Sequence, residues 1–117
     1  MSVNIYDLAY DLEKGIRGSN EYVELKKYLD AVNQDESAKK MFDNFRMLQL
    51  QLQQKQMAGQ EITQEEVDHA QKTLQLVQQH ETIAKLMDAE QRMSMLIGEM
   101  NKIIMKPLED LYGAPQE

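Results

Sequence analysis

Apolar residues recur along most of this chain at intervals of three and four, the spacing that lines one side of an α-helix. Ile5, Leu8, Ala9, Leu12 and Ile16 form the first such stripe and predict a helix over about Asn4 to Arg17. Gly18 is placed to end it in the left-handed conformation. Ser19 or Asn20 then caps a second helix to about Val32, with Tyr22, Leu25, Leu29 and Val32 inward. Asp35 is the next cap. Ala38, Met41, Phe42, Phe45, Leu48 and Leu52 mark a third helix from about Glu36 to Met57, closed by Gly59. Within it, QLQLQQKQ at 49–56 alternates with period two, as a strand would. Both flanks are helical and Gln and Lys are poor strand formers, so the helical reading stands.

Thr63-Gln64-Glu65-Glu66 is a capping box, with Ile62 and Val67 as its hydrophobic staple. The helix that starts there meets no Gly or Pro until Gly98, and Pro107 is its first strong stop. Read as continuous it is ~42 residues and ~63 Å long. Its stripe changes direction, however. Val67, Ala70, Leu74 and Val77 share one side, Ile83, Ala84 and Met87 another, and the apolar group from Met93 to Ile104 a third. Either the helix packs on different neighbours along its length or it breaks near Thr82 or Asp88; continuity is the reading taken here. Fold class is then all-α: a bundle of about four helices in one domain spanning residues 1–117, with one long C-terminal helix.

The shorter helices cannot cover the far end of that long one. Met93, Leu96, Ile97, Met100 and Ile104 therefore form the expected oligomer interface, in a homodimer or larger assembly. Five of the nine methionines fall in the last third, and a flexible thioether suits adaptable partner contacts. Met87 and Met95 are the residues expected to face other proteins.

Composition narrows the chemistry. The chain has no cysteine, which excludes disulfides, thiolate metal sites and thiol nucleophiles, and fits a reducing cytoplasm. Thirteen basic residues against twenty acidic ones, net −7, disfavour phosphate and anionic-lipid partners. No segment approaches the ~18 apolar residues of a membrane span, and the N-terminus does not read as a secretory signal. Glu66 and His69 share the E-x-x-H spacing of di-iron proteins, but only one such pair exists and Glu66 belongs to the cap. His80-Glu81 lacks the second histidine of a zinc protease, and the serines and scattered glycines build neither a triad nor a phosphate loop. No catalytic, metal or cofactor residue is assigned, and the chain is expected not to be an enzyme.

Three strings carry a resemblance: NIYDLAYDLEKGIRGS, LQLQQKQMAGQEITQEEVDHAQKT and DAEQRMSMLIGEMNKIIMKPLEDLYG. Across nearly the whole chain the sequence resembles the YlbF/YmcA family of bacilli and related Gram-positive bacteria. The resemblance implies a helical bundle that forms oligomers in the cytoplasm. It also implies a regulatory protein acting through protein–protein interaction, linked to RNA processing or developmental control. Some relatives hold iron–sulfur clusters through cysteines; this chain, lacking them, departs there. The function expected is a non-enzymatic regulator or adaptor. The alternatives are a structural homo-oligomer with no other partner and, more weakly, an RNA-binding protein.

From periodicity alone, more than about 70% of the chain should be helical, with no sheet. Circular dichroism of the purified protein measures this directly, and a substantial β component would contradict it.

Overall fold

The computed structural model describes residues 4–113, and helices take up 89% of them. The fold is all-α, with five helices rather than four: α1 (Ile5–Arg17), α2 (Asn20–Gln34), α3 (Glu36–Met57), α4 (Gln64–Gln79) and α5 (Glu81–Tyr112).

Most boundaries follow the local chemistry of the sequence. Asn4 caps α1 by accepting the Tyr6 N–H at 3.0 Å. Asp35 caps α3 by accepting the N–H groups of Ser37 and Ala38. At the end of α3, the Gln60 N–H donates to Lys55 C=O and the Gly59 N–H to Gln56 C=O. That pattern needs a left-handed residue at Gly59, whose φ is 71°. Gly18, by contrast, is right-handed at φ −90°. The turn after α1 is made instead by Ser19, whose hydroxyl donates to Ile16 C=O at 2.6 Å and accepts the Tyr22 N–H at 3.2 Å.

The expected continuous helix from Gln64 is broken at His80, two residues before the nearer of the two anticipated points. His80 has extended backbone (φ −80°, ψ 116°), ends α4 and opens α5. Its carbonyl accepts the Ala84 N–H at 2.8 Å, and its ring Nδ1 receives the Ile83 N–H at 3.4 Å. Packing explains the break. Val77 and Ile83 are both fully buried, whereas an unbroken helix would point them about 120° apart. Pro107 does not stop α5 either. The carbonyl it leaves unserved belongs to Ile103, which is exposed, so water can take the place of the missing N–H. The helix runs on to Tyr112 and ends at Gly113, φ 86°.

Two compact units form along the chain, one made from the chain up to Leu25 together with the chain from Ala89 onward, the other from Lys26–Asp88. In the second unit α3 and α4 pack as an antiparallel pair, joined by the loop that holds the capping box. Its core is Val32, Ala38, Phe42, Phe45, Val77, Ile83 and Leu86. Lys55 near the end of α3 pairs with Glu66 at the start of α4, closing the hairpin beside its loop. In the other unit α2 and α5 are tied by Arg92 and Glu24. There Leu12, Ile16, Tyr22, Met93 and Leu96 are only half-buried, and no residue of α1 is buried.

Two outcomes follow for stability. Leu86→Ala removes a fully buried side chain and should cost about 2–5 kcal/mol in urea denaturation. Glu66 accepts from Lys55 and from the Thr63 backbone N–H, and these bonds hold its carboxyl below the usual glutamate range. Because the native value is lowered, this contribution is fully present above the ordinary value of about 4.3 and is lost as pH falls through the native one. Glu66→Gln should flatten that stretch of the stability–pH curve, measured by urea midpoints across the acid range.

Candidate interaction surface

α5 beyond Gly98 carries a run of exposed apolar side chains. Ile103, Ile104, Met105, Leu108 and Leu111 are 65, 57, 47, 48 and 76% exposed. They lie there because α5 has outrun the helices that pack on its first half. Met93 shares a groove with Leu12, Ile16 and Tyr22, and Leu96 borders a second groove with Glu21, Glu24 and Arg92. Ile104 and Leu108, by contrast, are open to solvent.

The residues singled out from sequence thus separate into two groups. Met93, Leu96 and Met100 are half-buried, Ile97 stands at the margin of exposure, and Ile104 is open. Of the two methionines expected to meet other proteins, Met95 is 60% exposed and Met87, in the other unit, is half-buried. Met95 projects about 200° around α5 from Met93, so it belongs to a different face from the stripe.

Two further apolar features were not anticipated as surface. On α1 the stripe is divided: Ile5 and Leu8 are well exposed, and only its second half, Leu12 and Ile16, finds partial cover. Periodicity shows that a face is apolar, not whether the chain has enough partners for it. In the other unit, Met47 and Leu76 stand exposed over a groove between α3 and α4, bordered by Asn44, Gln51, His69 and Thr73. Met47 lies outside the α3 stripe, so periodicity gave no reason to single it out.

Glu66, His80 and Asp35 each take part in a helix end. Glu66 is held by Thr63 and Lys55 and does not turn toward His69, which lines the α3–α4 groove. His80 caps α5 while its Nε2 lies 4.0 Å from Asp35, itself the cap of α3. No three His, Asp or Glu side chains among the described residues converge as a metal site would require. None of the described helices is long and apolar enough to cross a membrane.

Comparison with known proteins gives a consistent answer. The family model described as control of competence regulator ComK, YlbF/YmcA, matches residues 5–109. A UPF0342 protein of Bacillus velezensis is 72% identical over 99% of this chain and all of its own length. The UPF0342 protein YheA of Bacillus subtilis is 72% identical over 97% of each chain. Among solved structures, yheA from Bacillus subtilis superposes with a TM-score of 0.72 at 60% identity, covering 94% of this chain and 100% of that one. A protein of unknown function (DUF964) from Bacillus stearothermophilus superposes with a TM-score of 0.84 at 44% identity, covering 96% and 98%.

Proposed function

The chain belongs to the YlbF/YmcA family, and from that premise we propose that it is a cytoplasmic, non-enzymatic regulator that works by holding other proteins. The family is linked to control of a competence regulator, which supports a regulatory task. The observation that carries the mode of action is the exposed apolar surface of α5, presented by a chain whose Glu66 and His80 serve as helix caps. Exposed apolar side chains on a rigid helix are what a partner surface needs. A balance of −7 works against phosphate backbones as the partner.

Met95 is the side chain on which partner capture turns. It is exposed, unbranched and adaptable, and Glu21, Glu24, Arg92 and Glu99 rim the groove it borders. Met87 contributes less, because it is half-buried.

The test uses the tagged full-length chain in a bacillus lacking its own copy. Wild-type protein should retain a defined protein through two purification steps, and purified components should rebind. Met95→Glu should lower that recovery at least tenfold while helix content by circular dichroism stays unchanged. Expression from a competence-controlled reporter should change on deletion and return with the wild type but not with Met95→Glu. Recovery of the chain alone, together with tight salt-sensitive RNA binding, would overturn the reading.

A further inference from the structure

The groove that Met95 borders combines apolar side chains with an unbalanced set of charges. Glu21 and Glu24 of α2 line it together with Arg92, Met95, Leu96 and Glu99 of α5, all within one unit. On each helix these residues fall three or four apart, so they share a face. Met95 is exposed and Leu96 half-buried, which leaves apolar surface within reach of a visitor.

One cation already sits there. Arg92 meets Glu24 at 2.5 Å, and the Glu24 oxygen that it meets is closed off from solvent. The groove thus holds a guanidinium against an α2 carboxylate, with Met95 and Leu96 one turn further along α5. That single cation does not balance the lining. Glu21 and Glu99 border the same groove, and among the described residues neither has an ion-pair partner. Glu21 lies in the first turn of α2, but the helix end offers it only about half a unit of positive charge. The surroundings add to the excess. The chain up to Leu25 and from Ala89 onward holds ten acidic and five basic side chains, so five of the seven surplus negative charges belong to this unit.

This combination selects its occupant. A purely apolar segment would strip water from Glu21 and Glu99 and return nothing. An acidic or phosphate-bearing one would be repelled. A basic segment without apolar side chains would leave Met95 and Leu96 uncovered. Arginine and lysine resolve the conflict, because their stems lie along apolar surface while their heads reach a carboxylate. We propose that the groove between α2 and α5 receives a basic amphipathic segment of a partner protein. Its apolar side chains cover Met95 and Leu96, and its arginine or lysine heads meet Glu21 and Glu99. The inference rests on the regulatory reading and gives the partner a chemistry. Exposed ion pairs contribute little each and are screened by salt, so the carboxylates choose the partner and hasten its approach while the apolar contact retains it.

The probe is a fluorescent helical peptide with leucines along one line and arginines on both sides of it; its twin has glutamine in place of every arginine. Fluorescence anisotropy with the full-length chain should show saturable binding of the arginine peptide, about tenfold tighter than its twin at low salt. Glu21→Gln combined with Glu99→Gln should weaken the arginine peptide about fivefold and leave the twin unmoved. Met95→Gln should weaken both. Glu61→Gln with Glu65→Gln removes the same charge from the other unit and should change neither, which separates the groove from general attraction to an acidic protein. Circular dichroism checks the fold of each variant, and Glu99→Gln alone serves if the double variant folds poorly. Equal losses from the two double variants, or no preference for the arginine peptide, would overturn the proposal. Native capture separates it from the regulatory reading. If Met95→Glu loses the partner and the Glu21 and Glu99 variant keeps it fully, the regulatory reading stands and the basic partner falls. If the peptide results hold while native purification recovers the chain alone, the regulatory reading falls and the chemistry of the groove stands.

Discussion

Burial of Val77 and Ile83 in one core, from positions that a straight helix would point apart, is the constraint around which the Lys26–Asp88 unit is arranged. Six residues of α-helix rotate the side chain by about 240° in the right-handed sense, leaving the two apolar groups about 120° apart. One extended residue at His80 restarts the helix at a new angle, so that Val77, Ile83 and Leu86 all become inaccessible to solvent. The break leaves new backbone donors at the start of α5, and the residue that makes the break supplies the acceptor for one of them. Burial of a few large side chains outweighs the hydrogen bonds lost in the interruption.

How much of this was legible depended on the range over which each decision is made. Caps and turns are settled within a few residues, and Asp35, Gly59 and the Thr63–Glu66 box each stand in the structure where their chemistry places them. The break at His80 was half-visible: the stripe changes direction there, but the sequence offers no Gly or Pro to mark the place. Choosing between a bent path and a broken one requires knowing where α3 lies, and that is tertiary information. Pro107 misled for the opposite reason. Its local penalty is real, yet it stands on an exposed turn where solvent can serve the orphaned carbonyl.

The interaction surface was legible as apolar pattern and not as exposure. Met93, Leu96 and Met100 look the same in sequence as Ile104, Leu108 and Leu111, and only the positions of α1 and α2 divide them. The same holds for α1, whose stripe gives no hint that its first half lacks cover. The helix-end roles were legible in part: the sequence marks Glu66 and Asp35 as cap residues, whereas His80 carries no local signal for the cap it makes.

α1 has a consequence of its own. A helix of 13 residues is too short to hold together in water by itself, and this one has no fully buried side chain to anchor it. Its order is therefore borrowed from the partial docking of Leu12 and Ile16, and the free energy needed to open it is far below that needed to unfold the core around Leu86. The amides of α1 should therefore exchange well before those of the Leu86 core, and each opening exposes Lys14 and Arg17 in its last turn to a trypsin-like protease. Whatever binds beside Leu12 and Ile16 will slow both processes, so the N-terminal helix doubles as a natural reporter of occupancy on that side of its unit.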